Sequence, residues 1–208
     1  MGDSTSWIAV RGKAPQQVRT ELGAKLLPEG ESSTGSLLAV QLENDWYLIQ
    51  SVITFAQNDR LLSLSIGCEV VACAWDTHVM FSGASRWQNG IPCWAVTHNE
   101  ERDLFDLATI GNLPEEFVQI RERLVLKQQA ANEAGKNVDF IFDAPILLAE
   151  SLTGFHRGFG EDASDFHLLA PLSQDELKQR STGPLPAFDR ILISGEQLVR
   201  RFWRNLRK

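Results

Sequence analysis

The 208-residue sequence predicts an α/β fold of the α+β type, a mostly antiparallel sheet with packed helices and a C-terminal extension ending in an amphipathic helix. Three observations carry this. Short runs of β-branched and aromatic residues recur between Gly, Asn and Asp breakers. Two of them, Val79 to Trp87 and Pro92 to His98, flank Asn89-Gly90, the favoured two-residue hairpin turn. Apolar residues at helical spacing are confined to a few segments, the longest from about Pro114 to Ala131.

In order along the chain, Trp7 to Val10 reads as a strand, and Gln16 to Leu22 as a helix with Pro15 in its first turn and Gly23 just past its end. Leu37 to Val40 and Trp46 to Ile49 flank Glu43-Asn44-Asp45 and form a hairpin. Asn58 caps a short helix over Asp59 to Ser65, and Glu69 to Trp75 is a buried strand. A two-residue turn at Asn89-Gly90 makes Phe81 face His98, Ser85 face Trp94 and Trp87 face Pro92. Phe81, Trp87, Trp94 and Val96 then share a core face, with the small residues Ser82, Ala84, Cys93 and Thr97 on the other. Leu104 to Ile110 reads as a further strand.

Pro114, Glu115 and Glu116 suit the start of the long helix, with Phe117, Ile120, Leu124 and either Leu126 or Gln128 inward and Gly135 closing it. Val138 to Phe142 reads as a strand, and Pro145 opens a helix through Leu152 before Gly154. Strand, Ala14-Pro15, helix, Leu22-Gly23 is thereby echoed by strand, Ala144-Pro145, helix, Gly154. Residues 5–155 are expected to form the body and 156–193 a loop-rich extension. Residues 194–208 form a basic amphipathic helix, opened by a capping box of Ser194 and Gln197.

Composition bounds the function. Hydrophobic residues at 43% and charged residues at 23% are typical of a chain that folds on its own. Cys68, Cys73 and Cys93 are odd in number and form no C-x-x-C pair, which disfavours a disulfide framework or zinc ribbon and points to a reducing cytoplasm. No apolar run is long enough to span a bilayer. The net charge of -7 divides into +4 over residues 196–208 and -11 elsewhere, so the body repels nucleic acid.

Chemistry has few places to reside. No H-E-x-x-H or G-x-S-x-G motif is present, and no metal or cofactor is expected. His98, followed by Asn99, Glu100 and Glu101, is either a base or a metal ligand at a strand end beside carboxylates, or a histidine in a surface turn, the last being the stronger reading. Asp139 and Asp143 flank Phe140 to Phe142. Asp143 reads as a turn or cap residue, or as a ligand group at a strand's C-terminal end. Arg11-Gly12-Lys13 is either a solvated turn or a weak anion nest between strand and helix. On the last helix, Leu198, Phe202 and Trp203 form an apolar stripe opposite Arg200 and Arg204. It can dock on its own body, in a partner's groove or on an anionic membrane, the last being the weakest reading.

Trp7 to Lys13, Cys68 to Cys73, His78 to Met80 and Val138 to Asp143 together resemble a group of small uncharacterised bacterial α/β proteins over residues 6–155. The resemblance implies no activity, cofactor or site residue. The expectation is a non-enzymatic, cytoplasmic protein-interaction module of the kind an immunity or regulatory factor represents, partnered by another protein or by itself. The alternative is a small-molecule-binding protein or enzyme with a site near His98, Glu100 and Asp143.

Overall fold

Apolar residues that follow one another without interruption in a strand need cover on both sides, and the Trp7 to Val10 run finds it at the centre of a sheet. The computed structural model describes residues 4–31, 37–51, 58–156, 166–173 and 176. In chain order the elements are β1 (Ser4–Arg11), α1 (Pro15–Leu22), β2 (Ala24–Leu26), β3 (Leu37–Gln41), β4 (Tyr47–Ser51), α2 (Asn58–Leu64) and β5 (Glu69–Asp76). They continue as β6 (Phe81–Gln88), β7 (Ile91–Asn99), β8 (Ala108–Gly111), α3 (Glu115–Glu133), α4 (Asp143–Thr153) and β9 (His167–Pro171). The strands form one sheet in the order β2-β9-β3-β4-β1-β5-β6-β7-β8. Its pairings are antiparallel.

Each face has its own core. Trp7 and Ala9 of β1 pack with Val71, Cys73, Trp94 and Val96 beneath α3 and α4. Ile8 and Val10 pack with Ile49, Val70 and Trp87 beneath α1 and α2. Asn44, in the turn between β3 and β4, donates to the Thr153 carbonyl at 2.8 Å and ties down the end of α4. The start of α4 lies over β7, so this helix crosses the sheet between those two points. Among the described residues no helix is long and apolar enough to cross a membrane.

Three expectations need correction. The Asn89-Gly90 turn forms, and Trp87 faces Pro92, but Cys93 is then an extra residue, and beyond it Arg86 pairs with Trp94 and Ser82 with His98. A one-residue bulge changes which residues share a face. Trp87 therefore belongs to the α1/α2 core and Trp94 and Val96 to the α3/α4 core, so the single aromatic face does not exist. Ser82 and Ala84 likewise face α4, on the side opposite Thr97.

Residues 138–142 are a turn leading into α4 rather than a strand, because side chains satisfy their backbone groups. Gln128 accepts from the Phe140 N–H at 2.7 Å and donates to the Val138 carbonyl at 2.8 Å. Asp139 accepts from the Phe142 N–H at 3.0 Å. With no strand here, the echoed strand-helix unit reduces to two helices ended by a left-handed glycine, Gly23 and Gly154. The stretch expected to be a loop-rich extension contributes β9, which inserts between β2 and β3 through pairs such as Leu169 with Leu37 and Leu26. The expected helix at 194–208 lies outside the described residues.

Candidate functional site

The bulge at Cys93 decides where His98 goes. It turns His98 to the α3/α4 side with Trp94 and Val96, where its imidazole is fully buried. The ring lies between two acceptors, Nδ1 at 2.8 Å from the Asp106 carbonyl oxygen and Nε2 at 2.7 Å from Asp139 Oδ2. A carbonyl can only accept, and so can an ionised carboxylate, so the arrangement suits an imidazolium with a proton on each nitrogen. Burial pulls the His98 pKa down, but the hydrogen bonds and charges of Asp139 and Asp106 outweigh it and leave it raised.

Around this pair the Phe142 ring stands edge-on to the imidazole, 6.5 Å between centroids, and Ser82 Oγ donates to the Phe142 carbonyl at 2.6 Å. Ser82, His98 and Asp139 are the residue types of a nucleophilic triad, yet the geometry denies that chemistry. A general base needs a free nitrogen lone pair facing the nucleophile. Both nitrogens of His98 meet acceptors, the Ser82 hydroxyl is directed at a carbonyl, and both side chains are sealed from solvent. The cluster joins β6, β7, the Asp106 turn and the entry to α4.

The other residues singled out in the sequence do not converge on it. Glu100 is exposed beyond the end of β7, and Asp143 is the first residue of α4, directly after Phe142. Arg11 and Lys13 lie toward the opposite end of the sheet. The row holding His98 passes through Ser82 and Trp75 to Thr5, and Arg11 lies six residues further along β1, about 20 Å away. Lys13 Nζ binds Glu21 at 2.6 Å and the Leu64 carbonyl at 2.8 Å. Arg11 Nη2 binds Glu69 at 2.6 Å and its guanidinium lies 4.5 Å above the Trp46 ring. Glu69 also meets Arg86 Nε at 2.7 Å. Both cations of the expected anion nest are therefore engaged within the fold.

What the sequence did not show is the pairing of Asp139 with His98. Nothing in its spacing signals His98, 41 positions away. Among the described residues no group of His, Cys, Asp and Glu could hold a metal ion. Leu198, Arg200, Phe202, Trp203 and Arg204 lie outside the described residues.

A different surface stands out once side chains are placed. Leu62 and Ile66 at α2, Ile91 at the hairpin tip and Ile110 on β8 are large apolar side chains open to solvent. The tip is seated on the turn that follows α2, with Gly90 N–H donating to Ser65 Oγ at 3.1 Å and Asn89 N–H to the Cys68 carbonyl at 3.2 Å. Beside it, at the bulge, a cavity of about 60 Å³ is lined by Trp87, Pro92, Cys93, Ile110 and Gly111 among others. Residues 61–68, 88–97 and 108–114 contain no charged side chain in a chain that is 23% charged, so this surface differs from the rest.

No family model, no curated protein and no solved structure matches the chain.

Proposed function

We propose that this chain is a non-enzymatic protein-interaction module that engages its partner through the uncharged surface running from α2 across the β6–β7 hairpin tip to β8. The observation that carries the reading is the exposure of Leu62, Ile66 and Ile91 around the hairpin tip, where Gly90 sits against Leu62 and Ile66, on segments that carry no charged residue. Interface centres are distinguished from ordinary surface by loss of charged residues more than by bulk apolarity. Exposed apolar patches of this kind mark contact sites. Immunity and regulatory factors act by covering a partner's surface, which requires no catalytic group of their own. The alternative, an enzyme or small-molecule site around His98, Glu100 and Asp143, has no free imidazole to act as its base, because both His98 nitrogens are engaged.

A photo-crosslinking residue placed at Ile91 is expected to give a discrete protein adduct in a lysate of the source cells. The same residue at Val118, exposed on α3, should give none. Identical adducts from the two positions, or none from either, would sink the proposal. A chain ending at Ile193 tests the stripe of Leu198, Phe202 and Trp203 separately. Retention of the Ile91 adduct assigns binding to the α2–β8 surface, and its loss assigns an essential share to residues 194–208.

A further inference from the structure

We infer that the free edge of β8 accepts an extended, basic segment of a partner protein as an added strand, with one apolar side chain of that segment seated in the cavity at the Cys93 bulge. The inference rests on the interaction reading above and gives its partner a chemistry.

β8 is the last strand of the sheet, and among the described residues nothing pairs with its outer side. Thr109, Ile110 and Gly111 are exposed. An open edge is a row of unmet N–H and C=O groups, and proteins that must avoid strand addition guard such edges with charge, proline or cover. The opposite edge has such a guard, since β2 carries Lys25, paired with Glu176 at 2.7 Å. Ala108-Thr109-Ile110-Gly111 has neither charge nor proline.

The cavity is next to this edge. Gly111 approaches the bulge so closely, at φ 75, that a Cβ there would collide with the Cys93 carbonyl oxygen. Ile110 and Gly111 form one side of the depression, with Pro92, Cys93 and Trp87 on the other. In strand addition the backbone ladder supplies affinity and alternate side chains enter pockets. Here the pocket is apolar and has room for one small aliphatic side chain.

Charge selects the segment. Glu100, Glu101 and Asp103 are exposed in the connection leading into β8, and Glu115 and Glu116 are exposed in the first turn of α3 just after it. The one cation in that connection, Arg102, lies 3.9 Å from Asp106. Carboxylates thus flank both ends of an uncharged strand about 13 Å long. The fitting partner has a short β-branched centre with Lys or Arg on either side. Exposed pairs contribute little each and are screened by salt, so they set selectivity and the ladder sets binding.

The test uses the full isotope-labelled chain and the capped peptide Lys-Lys-Val-Thr-Val-Ile-Lys-Lys, with a counterpart carrying Glu for every Lys. The basic peptide should shift the amides of Ala108 to Gly111 and slow their exchange. Its affinity should fall about tenfold in high salt and by a similar factor in the exposed double variant Glu100→Gln, Glu101→Gln. Ile110→Glu should abolish binding. Equal binding of the acidic peptide, or shifts that map away from β8, would overturn the inference. So would slow exchange at Thr109 and Ile110 in the free protein, because the edge would already be taken by the chain itself or by a second copy. Crosslinking at Ile91 without peptide binding overturns strand addition alone, whereas loss of both removes the interaction reading too.

Discussion

Because both nitrogens of His98 meet acceptors, this one side chain links stability to pH. His98 holds its second proton more tightly folded than unfolded, its pKa being raised above the ordinary 6.5. Its contribution is therefore complete below about 6.5 and is lost as pH rises through the folded value. Urea unfolding from pH 5.5 to 9 should show that fall, and His98→Gln should flatten it. A chain whose stability rose through neutral pH would contradict the imidazolium. Asp139→Asn removes the charge that holds the proton and should cost about 3 kcal/mol, with the His98 NMR titration moving to lower pH. At this scale the sequence was half legible. His98, Arg11 and Lys13 were visible as groups capable of chemistry, but their partners Asp139, Glu69 and Glu21 belong to other elements that only folding brings near.

Elements were legible wherever the backbone itself demanded particular residues. Asn89 and Gly90 adopt φ 52 and φ 76, which few other pairs tolerate, so the hairpin could be located from those two letters. Prolines and glycines bounded α1 and α4 for the same reason. The bulge was invisible because Cys93 has no special backbone requirement, and its insertion regroups the faces of two strands. Residues 138–142 misled because an apolar run has strand composition whether its backbone bonds go to a neighbouring strand or to Gln128 and Asp139. The contact between β8 and the bulge gives a prediction of its own. Gly111→Ala must place a Cβ against the Cys93 carbonyl at a positive φ. It should cost more than the roughly 1–2 kcal/mol of the left-handed conformation alone and speed amide exchange along β8. Unchanged exchange there would mean that β8 does not depend on this close approach.

Among the described residues the central strands of the sheet are buried on both sides, and the sheet depends on a strand from late in the chain. β9 enters between β2 and β3 after 166 residues have gone before it, a long-range pairing that no local pattern encodes. Ending the body at residue 155 would therefore leave β3 with an open edge and unroof the core under Leu169. Leu169→Ala, at a fully buried position, should cost about 3 kcal/mol in urea unfolding. A chain ending at His156 should lose its cooperative transition, and retention of wild-type cooperativity would show that β9 is dispensable. The two cores also divide the tryptophans unevenly: Trp7, Trp46, Trp75 and Trp94 lie under α3 and α4, while Trp87 alone lies on the α1/α2 side. Intrinsic fluorescence from the described part of the chain is thus a one-sided reporter. Lifting α3 and α4 would red-shift most of the emission while Trp87 stayed blue, and loosening α1 and α2 would pass almost unseen. With Trp203 also replaced by Phe, Trp87→Phe would leave an emission that follows the α3/α4 face.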